Sequence, residues 1–335
     1  MAKIACFGEI LLRLVAPGRE LLLQRPHLDV HVGGAEKNVA VALACLGHDS
    51  RMISLLPDNP LGQAALGEIR RHGVDVSGVG FSAGRMGLYF MAAGAGLRAS
   101  QILYDREASS FALAGPEDFD WDRLLDGVDQ LHLSGITPAL GDRSAAAAIA
   151  AAQAARAEGL QVSFDVNYRG QLWRDRGGEA PAILRELAGL ATILFANHRD
   201  LSLLLDRQFG GTGPDRRRAA AEAAFEAFPG LGLIGSTARR IEDSDRHSLA
   251  ARVDRRDDWA QTEEIAIAGI VDRIGGGDAF AAGVLHGIRQ DRELDWTARA
   301  GLALACLKHG LPGDHSLFGA KDVEDFLAGA SDVRR

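Results

Sequence analysis

Short apolar runs alternate with longer Ala- and Leu-rich stretches along most of this chain, and that alternation narrows the fold more than any other feature. Residues 3–8, 51–56, 130–134, 162–166, 192–195 and 231–234 read as buried strands. Between them, residues 35–46, 60–72, 142–158 and 215–228 carry helical spacing. In the first of these stretches Val39, Ala42, Leu43 and Leu46 share a face, and Gly47 closes it. Strands that alternate with helices in this way build a parallel sheet covered on both faces. The chain is therefore expected to be an α/β protein. The Ala tract at 145–155 is expected to be a close-packed helix, because Ala has the highest helix propensity.

A different texture interrupts the alternation between residues 86 and 113. Residues 87–92 and 100–105 are strand-like, and Ala93-Gly94-Ala95-Gly96 joins them as a hairpin loop. Farther on, residues 239–258 are dense in Arg and Asp, which predicts a solvated ribbon or loop. The net charge of −8 argues against bulk nucleic-acid binding. A local Arg cluster could still receive an anionic substrate. Cys6, Cys45 and Cys306 are far apart and form no CxxC pair, so a disulfide framework or zinc ribbon is not expected. Cys306 reads as a small buried helix residue. No apolar run approaches the roughly 20 residues that span a bilayer. The first residues lack a signal-peptide core. A soluble, cytoplasmic protein that avoids membranes is expected.

The chemistry concentrates in Gly275-Gly276-Gly277-Asp278, which opens a small-residue helix expected over 279–288. Consecutive glycines let amide groups crowd toward one point, and the helix adds the positive end of its dipole. A carboxylate beside such an anion hole is out of place for merely binding phosphate. It fits a base that takes a proton from a hydroxyl attacking that phosphate. The plainer reading is a Gly-rich turn with Asp278 as a helix cap. No GxxxxGK[ST] motif occurs, which disfavours a P-loop kinase. Gly94-Ala95-Gly96 lies between two strands instead of opening a helix, so it is not a dinucleotide fingerprint.

Two motifs resemble the ribokinase-like (PfkB) carbohydrate kinases. Asp272-Arg273-Ile274-Gly275-Gly276-Gly277-Asp278 with Ala282-Gly283 is similar to the family's D-T-x-G-A-G-D signature. Gly33-Gly34-Ala35-Glu36-Lys37-Asn38-Val39-Ala40 with Gly47 is similar to its sugar-contacting motif. The resemblance covers nearly the whole chain as one kinase domain, residues 1–335. It implies a three-layer α/β/α sandwich with a mostly parallel central sheet, and a small β-sheet lid from strands inserted at about 10–32 and 84–113. It further implies ATP and Mg²⁺, and leaves a monovalent cation open. Two departures stand out. Arg273 replaces the Thr or Ser of many members, and Asn197-His198-Arg199-Asp200 resembles the family's metal-associated N-x-x-E with Asp in place of Glu.

Within the family the chain most resembles 2-keto-3-deoxygluconate kinases, through residues 33–38, Tyr89, Tyr104-Asp105-Arg106, Asp165-Val166-Asn167-Tyr168-Arg169 and Trp173. A sugar acid carries a carboxylate, which suits Arg forks. The resemblance then implies that Gly34, Lys37 and Asn38 contact sugar hydroxyls while Tyr89 closes over them. Tyr104, Arg106 and Arg169 would hold the acid end, and Asp314 would reach the substrate. Asp278 would be the base, with Gly275, Gly276 and Gly277 on the phosphoryl group. Asn167, Asn197, Gly235, Ser236 and Thr237 would serve the nucleotide, and Asp200 a metal through water. Two alternatives remain: a kinase of a neutral sugar such as fructose or ribose, and a non-catalytic sugar-binding relative. Two alternating strands on a small lid would leave one face to cover, so a homodimer through the lids is expected.

Overall fold

The computed structural model describes residues 3–174 and 176–329. In chain order the first half contains β1 (Lys3–Phe7), β2 (Leu11–Val15), β3 (Asp29–Gly33), α1 (Ala35–Cys45), β4 (Asp49–Pro57), α2 (Pro60–Arg70), β5 (Asp75–Ser82), β6 (Gly87–Ala92) and β7 (Gln101–Asp105). There follow α3 (Trp121–Leu124), β8 (Val128–Ser134), α4 (Asp142–Ala157), β9 (Gln161–Asp165), α5 (Ala180–Leu190), β10 (Ile193–Phe195), α6 (His198–Leu205) and α7 (Gly213–Ala227). The last third holds β11 (Leu233–Ile241), β12 (Arg246–Asp254), β13 (Trp259–Gln261), β14 (Ile265–Ala268), α8 (Gly276–Arg289), α9 (Leu294–Lys308) and α10 (Ala320–Leu327).

The main sheet runs β13-β12-β11-β10-β9-β8-β1-β4-β5, with β14 also on β12. From β11 to β5 every pairing is parallel. Apart from the half-exposed edge strand β5, these strands are largely buried on both faces, which is why they read as apolar runs. Helices α1, α2, α8, α9 and α10 cover one face through Val39, Leu43, Ile69, Val284, Leu304 and Val323. Helices α3 to α7 cover the other through Leu124, Leu184, Leu204 and Phe225. The Ala tract is that close-packed helix: Ala147, Ala148, Ala151, Ala152 and Ala155 of α4 are all buried. The architecture is the ribokinase-like three-layer α/β/α sandwich.

A second sheet has the order β3-β2-β6-β7. The hairpin of β6 and β7 is antiparallel, and β2 joins it in parallel. Its register sets His31, Arg13, Tyr89 and Tyr104 in one cross-strand row. Side chains alternate across a strand, so the neighbouring row, Val30, Leu14, Phe90 and Leu103, belongs to the opposite face.

Two expectations need correction. Residues 239–258 are a solvated ribbon only at their ends, where 239–242 and 255–258 are exposed: β11 and β12 pair antiparallel and extend the main sheet, and β12 is buried from His247 to Asp254. The opposite charges neutralise each other there. Arg252 donates to both oxygens of Asp254, at 2.7 and 2.8 Å, under the ring of Trp259. Gly235, Ser236 and Thr237 do not follow a strand; they lie within β11. Among the described residues no helix is long and apolar enough to cross a membrane.

Candidate active site

Of the residues singled out from sequence, Asn167 and Asn197 lie where the parallel strands end, together with Glu9 and Asp165. Glu9 follows β1, Asp165 closes β9 and Asn197 follows β10, which is the edge where open α/β sheets bind ligands. Gly275 caps α8 in the left-handed region at φ 78, and a Cβ there would lie 1.6 Å from the Asp314 carbonyl oxygen. Only glycine fits. In the first turn the amides of Gly277 and Asp278 have no acceptor one turn back, so they stand free for an anion.

Asp278 accepts a hydrogen bond from Asn38 Nδ2 at 2.6 Å, which joins α1 to α8. Burial pushes its carboxyl up to about 6; Asn38 and the charge of Arg169 pull it down, and that of Asp314 pushes it up. Asp165, at the end of β9, is pushed up to about 8 by burial, then by Asp278 and Asp200. Asp200 is pushed up to about 6, again chiefly by burial. A buried carboxylate such as Asp165, raised by the charges of two others, suits a divalent cation, which offsets their repulsion.

Tyr89 Oη donates to Asp314 Oδ2 at 2.7 Å, and the rings of Tyr89 and Tyr104 lie 6.1 Å apart. Gly34 takes φ 134 at the start of α1, with the Glu9 carbonyl 2.3 Å from where a Cβ would sit. Arg169 is exposed and donates to Asn167 Oδ1 at 2.9 Å. Gly235 lies against the ring of Phe195, and Ser236 is buried beside it with Thr237 half-buried.

Other predicted site residues are engaged elsewhere. Lys37 is fully buried; its ammonium donates to the Val32 carbonyl at 2.7 Å and lies 2.8 Å from His315 Nδ1. Arg106 is buried and turned toward Glu9, with Nε and Nη2 both 2.6 Å from Glu9 Oε2. Asn197 and Asp200 form a capping box on α6: Asn197 Oδ1 accepts from the Arg199 amide at 2.8 Å, and Asp200 Oδ2 from the Asn197 amide at 2.9 Å. This leaves Asp200 Oδ1 for a metal or its water.

Three residues of consequence escaped the sequence reading as site residues: Glu9, Arg13 and Asp165. Asp165 could have been found as a carboxylate ending a parallel strand. Arg13 could have been found as a charge alternating with Leu12 and Leu14 in a short apolar strand. Outside the site, Glu68, His72 and His315 bring ligand atoms within 4.8 Å of one another. Arg71 already holds Glu68 at 2.9 Å and Lys37 holds His315, so a metal there would have to displace two cations. A cleft of about 880 Å³ is lined by Tyr168, Arg185, Arg199, Asp200 and Arg216; Asp278 is not among its lining residues.

Comparison with known proteins identifies the family and agrees with the fold. The family model described as pfkB family carbohydrate kinase matches residues 1–316. A 2-dehydro-3-deoxygalactonokinase of Haloferax volcanii is 30% identical over 329 residues, covering 98% of this chain and 97% of that protein. A 2-dehydro-3-deoxygluconokinase of Bacillus subtilis is 29% identical, covering 84% of this chain and 82% of its own. Among solved structures, a 2-dehydro-3-deoxygluconokinase of Thermotoga maritima superposes with a TM-score of 0.94 at 34% identity, over 98% of both chains.

Proposed function

The chain belongs to the pfkB family of carbohydrate kinases, and from that premise we propose that it transfers the terminal phosphoryl group of ATP to the terminal hydroxyl of 2-keto-3-deoxygluconate or its C4 epimer. One observation carries the reading. Asp278 follows three glycines at the start of α8, is bonded to Asn38, and has a carboxyl raised to about 6. At neutral pH it is ionised yet basic enough to accept a proton, which is the tuning a general base needs.

Asp278 takes the proton of the terminal hydroxyl as that oxygen attacks the γ-phosphorus. The bond from phosphorus to the β–γ bridging oxygen breaks, and ADP leaves. The Gly275-Gly276-Gly277 turn presents the amides of Gly277 and Asp278, which hold the charge on the transferred group. Gly34 and Asn38 line the sugar end, Tyr89 and Tyr104 close on it from the small sheet, which acts as the lid, and Asp314 meets Tyr89 from the loop after α9. Arg169 takes the carboxylate, while Arg106 stays paired with buried Glu9. Asn167, Asn197, Gly235, Ser236 and Thr237 border the nucleotide. Asp165 and Asp200 would hold Mg²⁺, whose charge offsets that of the triphosphate. The protein works in the cytosol as a dimer through its lids.

The test is ADP release with Mg-ATP on 2-keto-3-deoxygluconate, 2-keto-3-deoxygalactonate, fructose and ribose. Acid substrates are expected to exceed neutral ones in kcat/KM by about tenfold or more, the worth of one charge-assisted bond to Arg169. A preference for fructose or ribose overturns the acid assignment. Silence on all four, with ATP and sugar still bound, assigns the chain to the non-catalytic reading.

A further inference from the structure

We propose that Arg13 is a positioning residue for phosphoryl transfer: it ties the small sheet to the glycine loop, so that the anion-binding amides reach their working place when the sheet closes on the sugar. The proposal rests on the reading of Asp278 and the glycine loop given above.

Arg13 is the central residue of β2 and shares the inner row of the small sheet with Tyr89 and Tyr104. It is 1% exposed, and a buried guanidinium is tolerated only when paired. Its partners come from two loops of the main body. Nη2 donates to Asp272 Oδ2, and Nη1 lies 3.1 Å from Asp314 Oδ1. Asp272 is itself a clamp: its oxygens accept from the Ile274 amide at 3.0 Å and from the Gly313 amide at 3.2 Å. One carboxylate therefore holds the turn that leads into Gly275 and the loop that carries Asp314. Those two loops touch where Gly275 meets the Asp314 carbonyl. Tyr89 bonds the other oxygen of Asp314.

The chain of contacts runs from the sheet row through Arg13 to Asp272 and then to Gly275. A displacement of β2 would be carried by two short charged contacts into the loop before Asp278. The cluster also keeps unspent capacity, because Arg13 Nε is buried without a hydrogen-bond partner. A Lys in its place is a point charge without the planar fork that reaches two carboxylates at once.

The experiment compares wild type with Arg13→Lys, Asp272→Asn and Asp278→Asn in the full chain, using Mg-ATP and the best sugar from the assay above. It measures kcat, both KM values, the ratio of ADP released to sugar phosphate formed, and the melting temperature. For folded Arg13→Lys, kcat should fall on the order of 100-fold, as misplacement by about 1 Å does. Both KM values should stay within about threefold, and the ADP ratio should rise above one as water replaces the misaligned sugar. Asp272→Asn keeps the volume and removes the charge pair; it should show the same pattern and stands in if Arg13→Lys does not fold. A kcat within about threefold of wild type, or a loss carried by KM with the ratio at one, overturns the proposal. Asp278→Asn separates the two readings: if it turns over normally, the assignment of the base fails whatever Arg13 does.

Discussion

At the scale of single residues, environment decides which groups can act as predicted. Asp278→Asn keeps the shape and the contact with Asn38 but removes the base. It should lower kcat by about 10²- to 10⁴-fold with nucleotide affinity within severalfold, measured by single-turnover kinetics and titration calorimetry. Since the working form of Asp278 is the anion and its carboxyl is raised to about 6, kcat/KM should fall about tenfold per pH unit below that point and level off above it. A flat profile from pH 5 to 8 would remove Asp278 as the base. The two Arg residues are unequal probes of the sugar acid. Arg106 is spent on buried Glu9, so Arg106→Ala leaves an uncompensated charge and costs about 3–5 kcal/mol of stability. Exposed Arg169 carries no such burden. Arg169→Ala should raise KM for the acid by about tenfold, the worth of one charge-assisted bond, and leave KM for fructose unchanged. Equal shifts on both sugars would show that Arg169 does not choose the substrate.

At the scale of elements, what sequence revealed depended on whether a signal was local. The central parallel strands were legible because burial on both faces writes an uninterrupted apolar run, the half-exposed edge strand β5 was not, and α1 was legible from its apolar face and Gly47. The start of α8 was legible as chemistry because three glycines before an Asp have a local consequence. Strand β12 was not, since Arg252 and Asp254 look solvated until they close on each other inside the sheet. Glu9 was hidden too: its partners Arg106 and Ser109 are distant in sequence. Glu36 gives a prediction at this scale. It clamps the first turn of α1 to the end of β8, accepting from the Ser134 amide at 3.0 Å, Ser134 Oγ at 2.8 Å and Thr137 Oγ1 at 3.0 Å. Burial raises its carboxyl to about 7, against which these bonds pull only partly. A folded value above the unfolded one means that the folded state holds the extra proton. The stabilisation is therefore full in acid and is lost as pH rises through about 7. Glu36→Gln imitates the protonated form. Between pH 5 and 8 wild type should lose on the order of 1–3 kcal/mol relative to Glu36→Gln, read by urea denaturation; parallel pH curves would refute this.

At the scale of the whole molecule, the small sheet is a two-faced object, and its register shows why. The row His31, Arg13, Tyr89 and Tyr104 turns to the site, where Arg13 and Tyr89 meet Asp314. The adjoining row on the other face, Val30, Leu14, Phe90 and Leu103, is apolar on all four strands, yet Val30 is 58% and Leu103 62% exposed. A lone four-stranded sheet with one face in water would alternate with polar residues there. An apolar row instead calls for a cover, and a second copy of the same sheet offers one that is self-complementary about a twofold axis. Burying the face would return about 25 cal/mol for each Å² of apolar surface and would stiffen the strands that carry Tyr89 and Tyr104. Light scattering at micromolar concentration should give twice the chain mass for wild type and the chain mass for Leu103→Asp, with main-body melting retained. The monomeric variant should then show a KM for the sugar raised severalfold and a KM for ATP near wild type, because only the sugar depends on the inner row. A wild-type chain that scatters as a monomer would leave the apolar row without a cover and remove the dimer.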